Sequence, residues 1–319
     1  MKSATDELLE NRKTVTTAGD RTEDGRCLFP NRIAHFEVID WIGHGGEGWV
    51  ARARDPLLDR EVAIKLPLPP EEPRSGETVA HLRQEAQKSA RLRHESIVTV
   101  YELGETAGLS PWPDGVPFLV MEYVSGGTLR ELLNECHAKR EKLPFDRTAR
   151  ILIRIAEGLH YAHQEGGLIH CDMKPQNILI DSSGHPRISD FGLALLKVAL
   201  ENGRHPVAGT CAYMSPERLK SESNLLQTDI WSLGVIFYEM LTDELPFHAD
   251  RPGWMHHIIN NDPARPRDLD QTIPQSLENI CLKCLEKKPA ARYPMARDLA
   301  NAVRSFLEGP KRRVGRKPA

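Results

Sequence analysis

Three polar residues within Ile169–Asn177 could do chemistry together: Asp172, Lys174 two positions on and Asn177 five positions on. A carboxylate can orient or accept the proton of a nucleophile. A cation can neutralise charge developing on a transferring group, and a side-chain oxygen can ligate a metal. Phosphoryl transfer draws on all three. The apolar run Ile178–Ile180 follows, so these side chains belong on a loop that leads into a strand. A second carboxylate, Asp190 in Ser189–Gly192, lies at a later strand end and suits Mg²⁺.

Gly43, His44, Gly45, Gly46, Glu47, Gly48, Trp49 and Val50 form a glycine-rich stretch. Glycines let a backbone approach phosphates and present N–H donors. Alone the stretch is also compatible with an ordinary hairpin turn. It lies between two predicted strands, whereas a dinucleotide fingerprint opens a helix. Lys65 ends the apolar strand Val62, Ala63, Ile64. A lysine there commonly snorkels to the surface, but beside a phosphate loop it is a candidate to grip phosphate oxygens.

The elements that must position these groups fall into two regions. Residues 1–33 read as a flexible polar leader. Strands are expected at 36–39, 50–53, 61–66, 97–103 and 117–123, with a helix over 77–92 whose apolar face is Val79, Leu82, Ala86 and Ala90. After Gly126 and Gly127 helices are expected over 129–136, 148–164, 228–241, 274–286 and 294–308. Strands first and helices later predict an α+β fold with two segregated parts and a hinge near Glu122–Gly126. Residues 309–319 form a basic tail, read as solvated. A net charge of −3 gives no global attraction for nucleic acid. No stretch is long and apolar enough for a membrane span, and the first residues lack the apolar core of a signal peptide. The six cysteines are therefore expected in a reducing cytoplasmic setting. Cys281 and Cys284 have metal-like spacing but no second ligand pair, and are read as core.

In order and spacing, these motifs resemble the eukaryotic-like protein kinases, and within them the bacterial serine/threonine kinases, over about residues 36–308. The resemblance implies a kinase domain over 34–308. Its N-lobe, about 34–122, would be a small antiparallel sheet with one main helix, and its C-lobe, about 126–308, mainly helical. It implies that Ile42 to Val50 cover the phosphates of ATP, that Ala63, Met121 (as gatekeeper), Glu122 and Val124 contact the nucleotide, and that Lys65, paired with Glu85, holds the α- and β-phosphates. It implies Asp172 as the catalytic carboxylate, Lys174 and Thr210 as its partners in transfer, and Asn177 and Asp190 as ligands of Mg²⁺, with Mn²⁺ as an alternative. Glu217 would pair with Arg292, and Asp229 would anchor the catalytic loop. Lys174 and Thr210 fit the serine/threonine pattern, so protein substrates are expected, the chain itself among them, with the chain a monomer or weak dimer. A pseudokinase scaffold and a small-molecule phosphotransferase stay open. Against them stand the complete set of catalytic residues and the intact Gly209–Glu217 segment.

Two departures matter. Cys171 stands where most of the family has an arginine that binds an activation-loop phosphate, and cysteine cannot supply that fork of donors. Residues 193–209 contain no Ser, Thr or Tyr. Activity independent of activation-loop phosphorylation is therefore expected. Cys171 and Cys211 are candidates for a redox pair, with two inert thiols as the simpler reading. Thr128 and Gln176 occupy places where arginine-directed kinases carry acids, so no preference for upstream arginine is expected. Glu47, a carboxylate at the glycine-loop tip, is mildly repulsive to phosphate.

Overall fold

Residues Val62 to Leu66 are all buried, because their strand is central in a sheet. The computed structural model describes residues 30–45, 48–72, 75–191, 211–222, 225–248 and 253–309. The chain divides into two compact units. Among the described residues, one holds those from Pro30 to Arg93 together with Val98–Val124, and the other holds His94–Ile97 and those from Ser125 to Gly309.

The first unit is an antiparallel sheet of β1 (Arg32–Ile33), β2 (Phe36–Gly45), β3 (Gly48–Asp55), β4 (Arg60–Leu66), β5 (Val100–Glu105) and β6 (Pro117–Glu122), in the order β1-β2-β3-β4-β6-β5. Helix α1 (Ser75–Ser89) packs on β5 and β6. Its buried face is Thr78, Leu82, Glu85, Ala86 and Ser89. The expected apolar face is thus corrected: Val79 is half-buried, and Ala90 is exposed beyond the helix end. A carboxylate replaces an apolar side chain on that face because Lys65 meets it there. The strand expected from 97 begins at Val100, since Ile97 bridges Ile188 in the second unit instead. Trp112, on the β5–β6 loop, is buried and stacks on Trp41 at 6.1 Å, while its Nε1 donates to the Pro67 carbonyl at 2.8 Å.

The second unit contains α2 (Leu129–Lys139), α3 (Phe145–Gln164), the paired strands β7 (Ile178–Ile180) and β8 (Pro186–Ile188), α4 (Pro216–Leu219) and α5 (Leu226–Thr242). It continues through α6 (Trp254–Asn260), α7 (Pro266–Leu269), α8 (Gln275–Cys284) and α9 (Ala296–Glu308). Every residue of α5 from Thr228 on is buried, as its apolar character on all sides requires. Gly234 admits α8: a Cβ there would lie 2.5 Å from the Cys284 Cβ. Cys281 and Cys284 are both fully buried, and burial pushes the Cys284 thiol up to about 12. They pack as core, as their apolar surroundings in sequence suggested. Thr128 caps α2 by a reciprocal pair: its Oγ1 accepts from the Glu131 amide at 3.1 Å, and Glu131 Oε2 accepts from the Thr128 amide at 2.6 Å.

Glu217 on α4 and Arg292 are both about 2% exposed and form two parallel bonds of 2.8 Å. Arg292 also donates to the Gln227 and Glu286 carbonyls at 2.8 Å each. Burial alone would raise the Glu217 carboxyl, but the bonds and charge of Arg292 outweigh it and hold it below its usual 4.5. A carboxyl depressed by folding contributes stability that is present above its unfolded value and lost as pH falls through the lower folded value.

Two outcomes are expected. Trp112→Ala should destabilise the first unit by about 3–5 kcal/mol in denaturant titration, and a loss under about 1 kcal/mol would contradict the staple. Glu217→Gln should cost about 3–5 kcal/mol at neutral pH and flatten the acid dependence of thermal unfolding below about pH 4.5. Equal acid slopes for wild type and variant would count against the pair.

Candidate active site

The first constellation lies in the first unit. The ends of β2 and β3 pair Gly43 with Val50, His44 with Trp49 and Gly45 with Gly48. Gly46 and Glu47, at the tip, lie outside the described residues. Gly48 has φ +133°, and a Cβ there would sit 1.9 Å from the Leu66 carbonyl oxygen, so the fold itself demands glycine. Gly45 differs: a Cβ would meet nothing within 4 Å, and at Gly43 it would meet only Val50 at 4.0 Å. The fold does not need glycine at those two positions, whereas a ligand approaching the backbone would. Lys65 Nζ donates to Glu85 Oε2 at 2.9 Å with both side chains buried. Ala63 pairs with Met121 across β4 and β6, and both are buried, as is Val124. Ile42 is exposed and Val50 half-buried. Glu122 is fixed by its amide, which donates to the Thr99 carbonyl at 2.8 Å, and by Oε2, which accepts from the Thr99 amide at 3.2 Å.

The second constellation lies in the second unit. Asp172 is 5% exposed, and its Oδ2 accepts from Lys174 Nζ at 2.6 Å and from Asn177 Nδ2 at 3.1 Å. Asn177 Nδ2 also donates to the Asp172 carbonyl at 2.9 Å. Both bonds use the amide nitrogen, which leaves Oδ1 as the acceptor for a cation. Asp190 has φ +60°, and its Oδ2 accepts from the Ser189 hydroxyl at 2.7 Å. The Ser189 amide donates to the Asn177 carbonyl at 2.9 Å, which ties the Asp190 turn to the loop of Asp172 and Asn177. The structure therefore joins Asp172, Lys174 and Asn177 directly, and Asp190 to them through Ser189. Thr210 and residues 192–209 lie outside the described residues.

Three groups act here that sequence reasoning did not assign. His170 donates from Nε2 to the Ser189 carbonyl at 2.8 Å and accepts the Asp172 amide at Nδ1, 3.2 Å away, which defines its tautomer. His163, in the last turn of α3, bonds Asp229 Oδ2 at 2.8 Å. A histidine near a helix end carries no signal of such a role. Arg218 donates to the Cys171 carbonyl. Asp229, expected to anchor the loop, accepts the His170 amide at Oδ2 and the Cys171 amide at Oδ1, each at 2.8 Å. Burial pushes its carboxyl up, but His163 and the backbone donor outweigh this and leave it below its usual value.

Beyond the loop, the Tyr213 hydroxyl donates to Glu239 Oε2 at 2.7 Å, and Arg130 holds both oxygens of Glu239 at 2.7 and 3.0 Å. Cys211 is buried, which pushes its thiol up to about 11 and away from thiolate chemistry.

The family model described as the protein kinase domain matches residues 36–302. Among curated relatives, serine/threonine-protein kinase PknB of Mycobacterium tuberculosis is 35% identical over 277 residues, covering 84% of this chain and 42% of that protein. Serine/threonine-protein kinase PrkC of Bacillus subtilis is 33% identical over 288 residues, with 89% and 42% covered. The chain thus spans about two fifths of the length of these relatives. In structure it is similar to the PknI kinase domain of Mycobacterium tuberculosis, with a TM-score of 0.65, 22% identity and coverage of 86% of this chain and 97% of that one. A match over 36–302, on a chain whose loop joins Asp172, Lys174 and Asn177 by hydrogen bonds, makes this protein a member of the protein kinase domain family.

Proposed function

We propose that the chain transfers the γ-phosphate of Mg-ATP to serine and threonine hydroxyls of proteins. The observation that carries this reading is the buried carboxylate of Asp172, held 2.6 Å from Lys174. The residues fit the nucleotide and metal. Open space over Gly45, with only ordinary contact at Gly43, admits phosphate oxygens to the backbone, and Lys65, oriented by Glu85, supplies a buried cation for them. Asn177 and Asp190 offer an oxygen-only pair, which suits a Mg²⁺ that completes its shell with water and phosphate. The metal, when bound, neutralises charge on the phosphate oxygens. Ala63, Met121 and Val124 present apolar surface suited to a base.

In this reading Asp172 orients the incoming hydroxyl and accepts its proton as the bond to the γ-phosphorus forms and the bond from that phosphorus to the departing ADP oxygen breaks. Lys174 offsets charge on the transferring group, and Thr210 assists it. Asn177 keeps the carboxylate of Asp172 in place through its amide nitrogen. The buried Tyr213, braced by Glu239 and Arg130, supports a fixed peptide-holding segment and so favours protein substrates, the chain itself included. Because Cys171 brings no cation and residues 193–209 no hydroxyl, the catalytic centre acts without activation-loop phosphorylation. Among the described residues no helix is long and apolar enough to cross a membrane. A cytoplasmic setting, with ATP at hand and thiols reduced, fits the reading, as does a monomer or weak dimer.

Asp172→Asn is expected to lower phosphate incorporation by about 10²–10⁴-fold at unchanged thermal stability, measured with radiolabelled ATP and a protein substrate. Retained incorporation in that variant would overturn the assignment. Chelation of divalent metal should abolish transfer, and Mg²⁺ or Mn²⁺ should restore it. Phosphatase-treated wild type should keep most of its kcat. A large loss would overturn the reading that the centre acts without phosphorylation.

A further inference from the structure

Cys171 occupies the left-handed region at φ +66° although it carries a side chain. Such a conformation costs about 1–2 kcal/mol and persists only where the surroundings impose it. Here the residue is gripped at both of its backbone polar groups. Its amide donates to Asp229 Oδ1 at 2.8 Å, and its carbonyl accepts a hydrogen bond from the Arg218 guanidinium. Arg218 is only 7% exposed. Taking a guanidinium so far from water is costly, and the cost is offset only where its donors meet acceptors.

The donor is also fixed from behind. Arg218 follows Glu217 on α4, and Glu217 is clamped by Arg292 through two bonds of 2.8 Å. One short turn therefore sends a carboxylate into the helical core and a guanidinium to the residue that precedes Asp172. Cys171, buried and without charge, stands where the resembled family carries an arginine of its own.

We propose that Arg218 is a positioning residue for the reaction: through the Cys171 carbonyl it holds the turn that presents Asp172. It acts from within the folded chain, where other family members recruit a phosphorylated loop through the arginine at the Cys171 position. The effect on rate rests on the kinase reading above, whereas the grip on the loop does not.

The test compares Arg218→Gln and Arg218→Lys with wild type in the full chain. Kinetics are read with ATP and a protein substrate, and hydrogen exchange at amides 168–173 is read by mass spectrometry. Arg218→Gln is expected to lower kcat at least about tenfold with KM for ATP within about twofold, since a small misplacement of a reacting group is felt in the chemical step. Amide exchange should rise in the 168–173 loop and not in α5. Arg218→Lys, which keeps a charged donor, should recover part of the kcat, and it stands in if the glutamine variant fails to fold. An unchanged kcat, or exchange that rises equally in α5, would overturn the proposal. So would a phosphatase-treated wild type that falls to the level of Arg218→Gln, because Arg218 would then serve a phosphate. If the wild type transfers no phosphate the kinase reading fails, and loop exchange alone decides whether Arg218 holds the turn.

Discussion

Asp229 has no exposed surface, and its two oxygens take the amides of His170 and Cys171 and the ring of His163, each at 2.8 Å. A carboxylate in that position would be prohibitive without such partners. With them it becomes a template, since the loop must bring two successive amides to it at once. That demand sets the backbone at Cys171, and the backbone at Cys171 sets where Asp172 begins. His170 then relays the constraint outward, with one nitrogen receiving Asp172 and the other reaching the carbonyl beside Asp190. The backbone of the loop is thus fixed by hydrogen bonds, while the Asp172 carboxylate is held by Lys174 and Asn177.

The first unit follows a different physical logic. Its sheet is held by apolar burial, and the buried ionic pair of Lys65 with Glu85 takes a place on the inner face of α1 beside Leu82 and Ala86. Both charges are buried, so breaking the pair costs stability. The pair therefore behaves as a single element, and the positions of strand β4 and helix α1 depend on each other through it.

Much of this was legible in residue order. Asp172, Lys174, Asn177 and Asp190 lie close along the chain, so short-range spacing exposes them. The strands around the glycine-rich turn and the long apolar helix α5 announce themselves by period. Apolar periodicity counts a glutamate as outward-facing and so does not place Glu85 on the inner face of α1, whereas the resemblance, which pairs it with Lys65, does. Ile97 was assigned to a strand of its own region because its pairing with Ile188 is non-local. His163 and Arg218 act on residues 66 and 47 positions away, so no local pattern marks them.

Thr128 carries a consequence of another kind. It is the N-cap of α2, with Glu131 completing the reciprocal pair. A glutamate at this position is a poor cap, and loss of a good one costs about 1 kcal/mol. A glutamate placed here would therefore loosen the start of α2, whereas an aspartate, itself a good cap, would not. An acid at this position is compatible with the helix start only in its shorter form.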